Sequence, residues 1–155
     1  MASITESIDV QVPVRTAYDQ WTQFEQFPQF MEGVQSVEQV DDTHLRWVAE
    51  AGGKQHAWTA EITEQRPDER VAWKAIEGHG NGGVVTFHRL GEGETRVTVQ
   101  MEHETDGLME QLGSALGMDS RRVKGDLERF KDLIESRGVE TGAWRGEVEG
   151  GQRIR

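Results

Sequence analysis

Four breaks, AGGK at 51–54, RPDE at 66–69, GHGNGG at 78–83 and GEGE at 91–94, recur at near-regular spacing through the middle of the chain. Each supplies residues that reverse a backbone at low cost, because glycine enters angles closed to other residues and proline pre-sets the start of a turn. The runs between them, HLRWVAEA, QHAWTAEITEQ, RVAWKAIE, GVVTFHRL and TRVTVQMEH, are rich in Val, Thr and Trp, whose bulk suits a pleated surface. Strands of this length joined by short reversals pair most readily with their sequence neighbours. Residues 33–104 therefore read as an antiparallel meander.

The flanks read differently. Ala2, Ile4, Ile8, Val10 and Val12 alternate with polar residues, the period of a half-buried strand, and only Glu6 interrupts the apolar side. Pro13 ends that strand and opens a short helix over 14–24, with Val14, Ala17, Tyr18 and Trp21 on one face. Tyr18, Trp21, Phe24, Phe27 and Phe30 follow a spacing of three, which drifts around an α-helix, and Pro28 restarts the chain; two short helical pieces meeting at a corner are expected. Beyond Thr105, Leu108, Leu112, Leu116, Val123, Leu127, Phe130 and Ile134 fit one face of a long helix. Gly117 to Ser120 breaks or kinks it, Asp119 recaps its second half, and Gly138 stops it. Residues 1–138 are expected to form one domain, with 139–155 a glycine-rich tail, partly disordered or docked through Trp144. A sheet this long curls, and the final helix is the large apolar face available to fill it, which makes an α+β fold.

Charge narrows the partners. With 28 acidic against 17 basic residues the formal net charge is -11, which repels phosphate backbones and argues against nucleic acid. There is no cysteine, so disulfides, thiolate metal sites and a cysteine nucleophile are excluded. MASITESIDVQV lacks a basic stretch followed by an apolar run, and no segment reaches the ~18 apolar residues of a membrane span. A cytoplasmic protein without integral membrane contact is expected. The histidines His44, His56, His79, His88 and His103 show no metal-ligand pairing, and GHGNGG lacks the lysine of a phosphate loop. No metal and no cofactor are expected. GSALG at 113–117 has GxxxG spacing, but flanking charges exclude a membrane helix and favour close packing or a gate.

The stretch VPVRTAYDQWTQFEQFPQFMEGVQSVEQVDD resembles the opening of the polyketide cyclase/dehydrase and lipid-transport group of the START-like (SRPBCC, Bet v 1-like) superfamily. AEITEQRPDERVAWKA, GGVVTFHRL, TRVTVQMEHE and DLERFKDLIESR are similar to its later strands and last helix, so the resemblance covers about residues 2–138. It implies a helix-grip fold: a curved seven-stranded antiparallel sheet around a long C-terminal helix, with two short helices after strand 1. It further implies a cavity for a hydrophobic or aromatic small molecule such as a lipid, quinone or polyketide. The chain would then act as a carrier or sensor. The alternatives are a cyclase/dehydrase-type enzyme and a protein-interaction module such as a chaperone activator or ribosome-associated factor.

Strand alternation and helix spacing select the candidate lining: Phe30, Met31, Trp58, Trp73, Phe87, Met101, Met109, Leu112 and Leu116. Aromatic planes and flexible thioethers suit flat apolar ligands. The same residues equally suit a plain core. Trp21, Phe24 and Phe27 are expected to close that core, and Phe30 with Met31 to form a cavity wall. Few polar groups fall on the inner side. Glu6 and His103 are the candidate acid or base, and His56 and Glu64 share the register of Trp58.

Overall fold

The computed structural model describes residues 2–51, 53–77, 82–103 and 120–155. The elements are β1 (Ala2–Val10), α1 (Val14–Trp21), a 3-10 helix (Phe24–Gln29), β2 (Val34–Asp41), β3 (His44–Ala51), β4 (Lys54–Arg66), β5 (Arg70–Glu77), β6 (Gly82–Gly91), β7 (Glu94–His103), α2 (Ser120–Arg137), β8 (Val148–Glu149) and β9 (Gln152–Arg153). The long strands pair antiparallel in the order β1-β7-β6-β5-β4-β3-β2. Sequence neighbours from β2 to β7 pair in turn, as the spacing of turn residues requires.

The first strand departs from the meander, because β1 pairs with β7 while β2 lies at the opposite edge. Residues 11–33 must therefore cross the width of the sheet. They do so as α1 and the 3-10 helix, closing one end with the aromatic stretch 18–30. Proline marks both pieces: the Pro13 carbonyl accepts the first helical bond from Ala17 N–H at 3.1 Å, and Pro28 lies inside the 3-10 helix. The second of the two short helical pieces is thus a 3-10 helix, wound more tightly than α1.

On α2, Val123, Leu127, Phe130 and Ile134 are buried, one stripe at helical spacing. The helix is pinned to edge strand β1 and to the end of the crossing segment. Lys131 Nζ donates to the Asp9 carbonyl at 2.8 Å, and Arg129 Nε to the Phe30 carbonyl at 2.9 Å. Its end is set by Gly138, which takes the left-handed φ of +76° and donates its N–H to the Ile134 carbonyl at 2.7 Å.

The described sheet contains nine strands rather than seven, because the segment after α2 folds back onto it. Strand β3 stops opposite Glu61, leaving the far end of the longer β4 unpaired on that side. There β8 takes over, with Gln65 opposite Val148, and β9 pairs with β8. Val148 has no exposed surface, and Trp144 N–H donates to Thr22 Oγ1 at 3.0 Å.

One side chain faces opposite to its expected direction. A register shift between Ile62 and Glu64 inserts a bulge in β4, so inward parity changes after Ile62. Gln65 is fully buried and Glu64 is half-exposed among Arg66 and Arg70, removing Glu64 from the inner set.

Candidate functional site

The inner surface of the sheet is built in cross-strand rows. One runs Ile4, Met101, Gly83, Trp73, Ile62, and the next Glu6, Val99, Val85, Val71, Gln65. At Gly83 a side chain is excluded by backbone, since a Cβ would lie 2.3 Å from the Gln100 carbonyl oxygen. On the neighbouring strands Trp47 opposes Trp58, and their rings stack 5.7 Å apart at 9°. Ala49, Ala60 and Ala75 pack around these rings and Trp73. Small residues beside large flat ones leave the indoles room to lie parallel to one another.

The crossing segment closes this face. Trp21 is its hub, with ring centroids 5.3 Å from Phe27, 5.8 Å from Phe30, 6.3 Å from Phe87 and 5.1 Å from Phe130. Between the hub and the sheet lies a narrow, partly open space of about 40 Å³, lined by Trp21, Phe24, Phe27, Leu45, Trp47, Ile62, Val71 and Trp73. Every lining side chain is hydrocarbon or aromatic. A space of this size could hold one water but offers it few partners, and apolar cavities stay dry. Phe24 also borders an outer cleft of about 500 Å³ formed with Gln23, Glu25, Gln26, Gln39, Asp41, Asp42, Ala143 and Trp144. Phe24, a buried residue 3% exposed, is thus shared by the linings of both spaces.

Among the sequence candidates, Trp73 lines the inner space and Trp58 stacks on Trp47, which does. Phe30 packs instead into the aromatic hub, and half-buried Met31 lies against the core beside it. Phe87 meets the edge of Tyr18 at 5.4 Å, and Met101 is half-buried between Ile4 and Gly83. Met109, Leu112 and Leu116, like the GSALG segment, lie outside the described residues. Trp21, Phe24 and Phe27 are buried in the core as expected, and they also wall the space. Trp47 was not singled out by sequence; its alternation with Leu45 and Ala49 marks all three as inward, which is the signal that could have found it.

Polar chemistry on this face is sparse. Glu6 lies half-buried in the row of Val99 and Val85, with no hydrogen-bond or ion-pair partner among the described residues. His103 pairs with Ala2 through the backbone at the end of β7. His56 is half-buried opposite Ala49. No three His, Asp or Glu side chains among the described residues are placed to hold a metal ion. No described helix is long and apolar enough to cross a membrane.

Ionisable groups gather instead behind α1, under the returning C-terminal segment. Arg145 bonds both Asp19 Oδ1 and Asp68 Oδ2, the latter at 2.9 Å, and lies over the Tyr18 ring at 5.6 Å. Burial pushes the Tyr18 hydroxyl up to about 12. Burial also pushes the Asp19 carboxyl upward, against the opposing pull of Arg145. Tyr18 is thus a neutral phenol at neutral pH.

An open antiparallel sheet folded about a helix, with an apolar inner face, is an architecture also found in the START superfamily. A Mycobacterium smegmatis protein of that superfamily shares the fold with a TM-score of 0.64 at 14% identity, over 87% of this chain and 95% of its own. The chain belongs to the polyketide cyclase / dehydrase and lipid transport family, whose pattern matches residues 10–132. It is 55% identical over 149 residues to an uncharacterized 17.2 kDa protein from the melC2-rnhH intergenic region of Streptomyces lincolnensis, covering 96% of this chain and 99% of that one. A Thermus thermophilus structure is 25% identical with a TM-score of 0.72, over 89% of this chain and 100% of the other. The Zhui aromatase/cyclase of a Streptomyces species shares the fold at 14% identity, with a TM-score of 0.71 over 92% and 99% of the two chains.

Proposed function

We propose that the protein binds a hydrophobic or aromatic small molecule between the inner face of the sheet and the aromatic end-closure, as a carrier or sensor. The observation that carries this reading is the wholly apolar space walled by Trp21, Phe24, Phe27, Trp47 and Trp73. Ligand sites for drug-sized molecules span roughly 300–1,000 Å³, far more than the inner space itself. Swinging the Phe24 ring would join that space to the outer cleft of about 500 Å³, which brings the combined volume into range. The indole stack of Trp47 and Trp58 suits a flat ring system, and the scarcity of inner polar groups suits retention without chemistry.

A second reading, a cyclase/dehydrase-type enzyme, is favoured by one observation: Glu6 is a half-buried carboxylate set among valines, with no partner among the described residues. Such a group could take a proton from an enolisable carbonyl. The aromatase/cyclase neighbours share the fold and lend that reading no residue.

The test is native mass spectrometry after gentle purification, with extraction of anything bound, followed by Nile red titration. A coextracted apolar molecule, or saturable Nile red binding displaced by lipids or polycyclic aromatics, is the expected result. Absence of both would remove the reading. Turnover of a bound ketide analogue that is lost in Glu6→Gln, with its binding retained, would replace the carrier by the enzyme.

A further inference from the structure

We propose that the indole N–H of Trp47 reads an oxygen on the ligand, so that the site prefers flat apolar molecules bearing a carbonyl at the ring edge over their hydrocarbon analogues. This rests on the binding reading above and adds to it the residue that discriminates. Trp47 borders the apolar space, and its Nε1 is buried with no hydrogen-bond partner among the described residues.

Among the described residues, the ring's neighbours hold it and offer it no partner. It is held parallel to Trp58 at 5.7 Å and tilted against Phe27 at 5.6 Å. Its cross-strand neighbours are Val37 and Trp58, and its inward neighbours along β3 are Leu45 and Ala49. None of these side chains offers an acceptor. A buried donor without a partner is costly, and phenylalanine would fill the same stack without that cost. A ligand oxygen presented to this nitrogen would relieve it. In a wall otherwise made of hydrocarbon and ring faces, the N–H would also fix which edge of a flat molecule enters first.

Fluorenone and fluorene test this, being planar three-ring molecules of nearly equal shape that differ in one carbonyl oxygen. Their affinities for wild type and Trp47→Phe are measured by displacement of Nile red, with near-ultraviolet circular dichroism checking that the variant keeps its packing. The expected result is a fall of about tenfold in the fluorenone-to-fluorene affinity ratio in the variant, roughly 1.4 kcal/mol, with fluorene itself nearly unchanged. A second measurement needs no variant: in tryptophan-labelled wild type, fluorenone but not fluorene should shift the Trp47 indole N–H resonance downfield. An unchanged ratio, or an indole resonance indifferent to the carbonyl, overturns the proposal while leaving the binding reading standing. Failure of Nile red, fluorenone and fluorene all to bind overturns both.

Discussion

Replacing Arg145 by methionine isolates the charge that holds the C-terminal segment to α1. Asp19 is 1% exposed, and Arg145 supplies its closest charged partner while also bonding Asp68. Methionine keeps much of the aliphatic packing over Tyr18 but leaves the Asp19 carboxylate buried. Removing one member of a buried pair costs about 3–5 kcal/mol. Two features place this case at the low end, near 3 kcal/mol: the Arg145 side chain is 27% exposed, and Arg15 remains 3.6 Å from the other carboxylate oxygen. For a chain of this size that corresponds to a fall of roughly 6–12 °C in melting temperature. The pH dependence has a definite sign. The folded-state pKa of Asp19 is raised above its unfolded value, so between the two the folded state holds more protons and stability falls as pH rises. Loss of Arg145 raises it further, so the variant's deficit should be full at neutral pH and shrink as pH drops through that raised value. Urea denaturation at about pH 7 and about pH 5, followed by circular dichroism, measures both effects. Asp19→Asn in the same background should recover most of the loss by removing the buried charge. A deficit that is negligible at neutral pH, or that the second substitution deepens, would refute the argument.

Phe24→Ala should join the inner space to the outer cleft. Truncation of a buried Phe costs about 3–5 kcal/mol, and the lower figure applies because water from the cleft can fill the gap; stopped-flow mixing should show faster Nile red uptake at the same time. Gly83→Ala forces a Cβ to within 2.3 Å of the Gln100 carbonyl oxygen, so β6 and β7 must separate locally. A loss of about 1–3 kcal/mol in denaturant melts is expected, with weakened hydrogen-exchange protection along both strands as its signature.

The parts of the fold that depend on local periodicity were legible in the sequence. The meander follows from turn residues at fixed intervals, and the described half of the final helix from Val123, Leu127, Phe130 and Ile134. Features that depend on a partner distant in the chain were not. The bulge after Ile62 adds one residue and no unusual composition, yet it exchanges Glu64 for Gln65 on the inner face. The walls of the inner space depend on how the crossing segment docks. A spacing of three among aromatics reveals the corner but not that Trp21, Phe24 and Phe27 border a space while Phe30 fills the hub. Trp47 was legible as inward-facing and illegible as an unpaired donor, because that property belongs to its neighbours rather than to its own position.

Helix α1 carries the same lesson into function. Its residues Asp19 and Gln20, with Thr22 after it, have the composition of a solvent face, and each is at most 2% exposed. The returning segment covers them: Thr141 N–H donates to Gln20 Oε1 at 2.9 Å, Trp144 N–H to Thr22 Oγ1, and Arg145 to Asp19. This covering lies beyond residue 132, where the family pattern ends, but within the length shared with the Streptomyces lincolnensis relative. The matched family region alone would leave these polar groups exposed to water and remove Trp144 and Ala143 from the outer cleft. The C-terminal segment thus braces α1 from behind while lining, through Ala143 and Trp144, the cleft that shares Phe24 with the inner space. With Trp21 on the braced helix, a ligand entering from the cleft would have to displace the 3-10 helix that follows, whose first residue is Phe24.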